Sequence, residues 1–191
     1  MYQTILRDSS FFFLLLQLDQ DLAAEAREAG CSCGGALHRA HYPRKPRGGP
    51  DGLGAQLNVR LSFCCSMEGC RKRVTPPSLR FLGRKVFFGV WVLLVPVLRD
   101  GPTRERLRRL EEVFGVSRRT LLRWRRFWRE AVPVSRFWQA RRGHFAVPVA
   151  AQRLPGSLLE AFTAAADPSE RVVAVLRFIS PLSCGCREPV F

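Results

Sequence analysis

"FCCSMEGCRKRVTPPS", residues 63–78, packs three cysteines into positions 64–70 and then runs through basic residues into a Pro-Pro stop. Thiols in such a run are either small hydrophobes in a β core or half of a metal site. Upstream, Leu57, Val59, Leu61 and Phe63 alternate at period two, the mark of a half-buried strand. With Phe63 turned inward, Cys65 shares its face, which favours Cys65 over Cys64 unless a local bulge exchanges them. The other half of the site falls at "CSCGG", residues 31–35, where two glycines after Cys33 permit the close backbone wrap that a thiolate knuckle needs. The expected ligands are Cys31, Cys33, Cys65 and Cys70, holding Zn2+ in a closed tetrahedral site. The knuckles are spaced C-x-C and C-x4-C, with 31 residues between Cys33 and Cys65. Replacement of Cys31 by His38 or His41 is the open alternative. A second C-x-C, Cys184 and Cys186, has no partner pair or turn chemistry around it and is read as non-ligating.

The 191 residues suffice for one ordinary domain or two small ones, and 47% hydrophobic content supplies a core. Lys and Arg number 31 against 16 Asp and Glu, a formal charge of +15 carried almost wholly by arginine. The guanidinium fork suits phosphates and guanine edges, so a polyanion is the expected partner. The surplus is confined to the middle of the chain, where residues 39–85 and 99–144 carry about +9 each. The apolar runs "FFFLLLQL" (11–18) and "VFFGVWVLLVPVL" (86–98) fall short of the roughly 20 residues of a spanning helix. The first also lacks a basic leader and a small-residue cleavage site, so the expectation is a cytoplasmic chain with no membrane partner. Seven cysteines without a secretion signal argue for metal ligation or burial rather than a disulfide framework.

Residues 10–29 read as a helix capped by Ser9 or Ser10 and stopped by Gly30. Residues 31–78 change to short strand-like pieces, "ALHRAHY" and "LNVRLSFCC", around the loop "PRKPRGGPDGLG". Residues 80–98 read as an apolar helix buried on most of its circumference. Two helices follow, "RERLRRLEEVF" and "RRTLLRWRRFWREAV", joined by "GVS" and ended by Pro133, and two more flank Asp167-Pro168-Ser169. The basic stretches "YPRKPRGG" (42–49) and "RKRVTPPS" (71–78) are either phosphate-backbone clamps or ordinary solvated loops. The fold expected is α+β, mostly α: small zinc-ribbon β-hairpins, then a helix-turn-helix bundle and C-terminal helices. Its segments are a packing helix over 1–30, a ribbon-like module over 31–78, a linking helix plus helix-turn-helix over 79–144, and a helical segment over 145–191.

Residues 107–128, "LRRLEEVFGVSRRTLLRWRRFW", fit the helix-turn-helix pattern. Leu107, Leu110, Val113 and Phe114 form one apolar stripe, Gly115 permits a left-handed turn, Val116 plugs the junction and Ser117 caps the next helix. On a 100° wheel Leu121, Trp124 and Trp128 fall together and face a core. Arg119, Leu122, Arg123 and Arg126 fall opposite, flanked by Arg118, Arg125 and Arg129. In a major groove, Arg119 and Arg123 suit guanine O6 and N7, and the flanking arginines suit phosphates.

The order of parts, a cysteine-pair ribbon ending in "CRKRVTPPS", then "LRFLGRKVFFGVWVLLVPVLRDGPT", then "LEEVFGVSRRTLLRWRRFW", resembles the N-terminal DNA-binding heads of bacterial insertion-sequence transposases. The resemblance covers residues 31–129. It implies a zinc ribbon with Cys31, Cys33, Cys65 and Cys70 as ligands, and Arg118, Arg119 and Arg123 in a recognition helix for terminal repeats. Such enzymes cut DNA with three carboxylates on a following strand-rich domain. After His144 this chain offers only Glu160, Asp167, Glu170 and Glu188, in helical or loop contexts. The expectation is therefore a non-enzymatic accessory or regulatory protein of a mobile element that binds double-stranded DNA at the bacterial nucleoid. The rival class is an interaction module whose ribbon and apolar segments dock onto a separate transposase or polymerase subunit. A zinc enzyme is disfavoured, because four thiolates leave no open coordination position.

Overall fold

The run "FFFLLLQL" lies in a 20-residue helix, α2 (Ser9–Glu28), preceded by the short α1 (Tyr2–Ile5). The computed structural model describes residues 2–83, 85–96 and 104–184. Asp8, rather than Ser9 or Ser10, caps α2, its carboxylate accepting the Ser10 N–H at 2.9 Å and the Ser10 hydroxyl at 2.7 Å. Phe11, Phe12, Leu15 and Leu16 bury one stripe, while Phe13 and Leu14 point outward at 38% and 40% exposure. The chain is α+β and mostly helical, with small antiparallel sheets.

The strands are β1 (Leu37–Arg39), β2 (Tyr42–Pro43), β3 (Val59–Arg60), β4 (Phe63–Cys65) and β5 (Arg73–Val74). β4 lies between β1 and β5, with Leu37 opposite Cys65 and Arg39 opposite Phe63; β2 pairs with β3. The expected alternation from Leu57 to Phe63 gives way here. Leu57 sits in a 3-10 turn (Ala55–Asn58), and Arg60 and Ser62 are buried alongside Phe63. They tolerate the interior because it supplies acceptors: Arg60 donates to the Pro76 carbonyl, and the Ser62 hydroxyl to the Val74 carbonyl at 3.4 Å.

A second interior polar knot joins distant parts of the chain. Asp19, on the inner face of α2, accepts the Arg80 guanidinium at 2.8 Å, the Ser78 hydroxyl at 2.6 Å and the Leu79 N–H at 2.6 Å. Arg80 spends its remaining donors on the Leu57 and Val59 carbonyls, both at 2.9 Å. The two side chains are 1% and 0% exposed. Burial pulls the Arg80 guanidinium below its ordinary range, and the Asp19 charge opposes that shift. Arg80, Arg44 and Arg60 also face the buried Phe81 ring, at 4.9, 5.4 and 6.0 Å from its centroid.

The apolar stretch after it is helical only over α3 (Gly89–Leu94), every residue of which is buried. Residues 80–83 and 85–88 run instead as irregular chain that bridges Phe81 to Phe88 and the 44–48 loop to Phe87, so the expected helix over 80–98 is much shorter; residues 84, 97 and 98 lie outside the described residues. α4 (Arg104–Phe114) and α5 (Arg118–Arg126) follow, and α5 continues through a π turn (Phe127–Ala131) into α6 (Val132–Val134). Pro133 is the middle residue of α6, which stops one residue later at the extended Ser135, so the helix ends within a residue of the expected Pro133 stop. α7 (Arg136–Arg141), capped by Ser135, has no counterpart in the sequence reading. α8 (Gly156–Ala161) and α9 (Pro168–Ile179) follow, with Asp167 accepting the Ser169 and Glu170 N–H groups at 2.7 and 3.0 Å.

One core unites α2, α3, α5 and α9, and edge-to-face ring contacts run through it. Phe12 meets Phe88 at 5.0 Å, Phe87 meets Trp124 at 5.0 Å, and Trp91 meets Phe114 at 5.6 Å. A smaller cluster of Ala23, Leu37, Phe63, Cys31 and Cys65 sits under the sheet.

Candidate metal centre and basic helix

The first knuckle is a tight turn in which the Cys31 N–H bonds the Gly35 carbonyl at 3.1 Å and the Gly34 N–H bonds the Cys31 carbonyl at 2.8 Å. The second is a turn after β4, in which the Cys70 and Arg71 N–H groups both reach the Met67 carbonyl at 3.2 Å. The β1–β4 ladder and a bond from the Ser66 N–H to the Ala36 carbonyl, 2.9 Å, hold the two turns face to face. Lys72 adds a side-chain tie across them to the Ser32 hydroxyl at 3.4 Å. Gly35 must be glycine for space: a Cβ there would lie 2.7 Å from Cys65 Sγ and 2.4 Å from Met67 Cγ.

The result is a four-thiol cluster. The Sγ atoms of Cys31, Cys33, Cys65 and Cys70 all lie within 4.8 Å of one another. Cys33 and Cys65 are 3.4 Å apart, and Cys31 and Cys70 are 3.8 Å apart. A tetrahedron of thiolates at about 2.3 Å from an ion has edges of about 3.8 Å, so the cluster is compatible with a metal site.

Backbone N–H groups two residues on meet three of the sulfurs. The Cys33 N–H, helped by the three other thiols and opposed by burial, brings the Cys31 thiol down to about 6. The Met67 N–H favours the Cys65 thiolate, but burial and the neighbouring thiols outweigh it and push Cys65 up to about 12. The Lys72 N–H acts likewise on Cys70, again outweighed by Cys33 and burial, and Cys70 is raised. The cage thus carries thiolate-stabilising donors, yet without a cation it retains protons.

The alternative ligands are accounted for elsewhere. Cys64 points off the other face of β4 and donates to the Arg71 carbonyl at 3.3 Å. His41 accepts the Ser62 N–H on Nδ1 at 3.1 Å and packs against Phe63. His38, opposite Cys64 in the ladder, is exposed. Cys184 is outside the cluster, and Cys186 lies outside the described residues.

The second candidate site is α5. Gly115, at φ +60°, allows the chain to reverse after α4. Val116 is fully buried, and the Ser117 hydroxyl accepts the Thr120 N–H. Leu121, Trp124 and Trp128 are 2%, 3% and 0% exposed, and the Trp128 indole N–H donates to the Val92 carbonyl at 2.8 Å. Arg118, Arg119, Arg123, Arg126 and Arg129 are exposed, with Leu122 among them, and Arg125 is half-buried. Arg126 pairs loosely with Glu130 at 3.6 Å, a solvated contact that holds neither strongly. On α4, Phe114 is buried but Val113 is 43% exposed, so Val113 drops out of the expected stripe; the side chains of Leu107 and Leu110 lie outside the described residues.

Of the C-terminal carboxylates, Glu160 pairs with Arg153 at 2.6 Å and Asp167 is spent on its cap, while Glu188 lies outside the described residues. The sequence reading missed Lys85, which rests over the Phe127 ring at 4.5 Å; its only signal was a basic residue beside an apolar run. Comparison with known families, with curated proteins and with solved structures returned no match.

Proposed function

We propose that this chain is a zinc-stabilised, double-stranded DNA-binding protein, related to the DNA-binding heads of transposases and serving a mobile element in an accessory or regulatory role. α4 and α5 act as a helix-turn-helix, and α5 is its recognition helix. The observation that carries this reading is the division of α5: its aromatic face is locked in the core while a row of arginines stands in solvent. Arg119 and Arg123 read base edges, and Arg118, Arg125, Arg126 and Arg129 hold phosphates. The four thiols favour Zn2+ because soft thiolates in a closed tetrahedron suit it and leave no position for a reacting water. The ion is structural, clasping the two knuckles together. The transposase kinship rests on the order of the sequence motifs.

Two measurements test the reading. In fluorescence anisotropy with a duplex selected from a random pool, affinity should fall steeply with salt. Arg119→Ala or Arg123→Ala should erase preference for the selected duplex and leave weak general binding. Equal loss on every sequence would remove base reading from the account. Metal analysis should find one zinc per chain, lost in Cys65→Ser and Cys70→Ser and kept in Cys64→Ser.

The rival reading, docking onto a transposase or polymerase subunit, is favoured by Phe13 and Leu14, which stand exposed on α2. The second apolar run contributes little to it, since Gly89–Leu94 is interior. Co-purification of such a subunit, with no DNA binding at moderate salt, would favour this rival.

A further inference from the structure

The loop 44–48 and the segment around Lys85 are far apart in sequence and fused in space. The Arg47 N–H bonds the Val86 carbonyl at 2.7 Å, and the Phe88 N–H returns to the Arg47 carbonyl at 3.1 Å. Arg44 clamps the same segment, donating to the Lys85 carbonyl at 2.9 Å and the Gly83 carbonyl at 3.3 Å. Arg44, Lys45, Pro46 and Val86 line one shallow depression. The segment in turn packs on α5 and its π turn, through Phe87 against Trp124 at 5.0 Å and Lys85 over Phe127 at 4.5 Å. Lys45 and Arg47 are exposed, and Lys85 is half-buried.

Lys85 is held where a cation is costly. Burial lowers its ammonium below the ordinary lysine range, and the Arg123 charge lowers it further. Among the described residues, no carboxylate forms an ion pair with Lys85, Lys45, Arg47 or Arg123. A half-buried lysine repelled by an arginine and lacking a counter-ion is relieved by an anion set between them.

We propose that Lys85, with Lys45 and Arg47 beside it, forms a phosphate clamp that grips the DNA backbone next to α5. The proposal rests on the DNA-binding reading above. Its contacts reach phosphates alone, so they add affinity without sequence information, and they answer one of the two readings of "YPRKPRGG" in favour of a clamp.

The test uses the full chain and a 30-base-pair mixed-sequence duplex, with log affinity followed against log salt concentration. The variants are Lys85→Met, which keeps the packing on Phe127, and the double Lys45→Gln/Arg47→Gln. Each lost phosphate contact should flatten the salt slope by about 0.9, so the slope falls by about one for the first variant and about two for the second. Preference for a selected duplex over the mixed one should be unchanged, and Lys85→Arg should restore the slope. Wild-type slopes and affinities in both variants would overturn the clamp and leave the DNA reading intact. A wild-type chain that binds no duplex would overturn both. Unfolding midpoints of the variants, expected to match wild type, separate lost contacts from lost folding; a slope that changes only alongside a fallen midpoint also overturns the clamp.

Discussion

Asp19→Asn should be among the most damaging conservative changes in the chain. The carboxylate is 1% exposed and its partner Arg80 is 0% exposed, so removing the negative charge leaves a guanidinium in the interior with no counter-ion among the described residues. Asn is nearly isosteric, but its amide NH2 would oppose donors: Arg80 Nε and the Ser78 hydroxyl share one oxygen, and the Leu79 N–H uses the other. Breaking a buried pair from one side costs about 3–5 kcal/mol. At about 2–4 °C of melting temperature per kcal/mol for a chain of this size, the midpoint should drop by roughly 6–20 °C. Urea and thermal unfolding of zinc-loaded protein, followed by circular dichroism, measure this. Arg80→Met should cost a similar amount, since it strands the Asp19 carboxylate. The double variant should be less damaging than the sum, because neither charge is then left alone, although the Leu57 and Val59 carbonyls stay unmet. A single-variant loss below about 1 kcal/mol, or strictly additive losses, would refute the view that this pair is a dry, mutually dependent unit.

Three further outcomes are expected. Metal uptake should be steeply pH-dependent: Cys31, at about 6, is already a thiolate at neutral pH, whereas Cys65, at about 12, and the raised Cys70 must each lose a proton. Apparent affinity should therefore rise at least about 100-fold per pH unit just above pH 6 and more steeply below it, and a chelator competition showing less than tenfold per unit contradicts this. Gly35→Ala should weaken zinc binding at least about tenfold, because its methyl lands against Cys65 Sγ, whereas Gly143→Ala, in open space, should leave zinc binding alone. Trp128→Ala should destabilise by about 3–5 kcal/mol, since it empties a fully buried site and leaves the Val92 carbonyl unmet; a denaturant midpoint near wild type speaks against that packing.

The four-thiol cluster was legible because its chemistry is local: thiols, glycines and tight turns sit within a few residues, and Cys65, sharing the inward face of Phe63, rather than Cys64, joins the other three. The inward face of α5 was legible for the same reason, since Leu121, Trp124 and Trp128 obey helical periodicity. What stayed hidden depends on partners far away in the chain. Asp19 looks like Asp21 in the sequence, and only the arrival of residues 78–80 makes it interior. Arg60 and Ser62 broke the strand alternation because Pro76, Val74 and Thr75 offered them acceptors from the neighbouring segment. Residues 80–88 carry a helix-like apolar pattern in the sequence, but Val86 and Phe88 spend backbone groups on Arg47 of the 44–48 loop, a tertiary demand that overrides propensity.

The Asp19–Arg80 knot also governs how the gene can be trimmed. A shortened product beginning at residue 31 would keep both knuckles and the whole of α5, yet it would carry Arg80 into an interior stripped of the Asp19 carboxylate and uncover Phe88 where Phe12 had lain. The first two dozen residues, although they supply no cysteine and no arginine of the basic helix, are thus a fixed cost of making either one work.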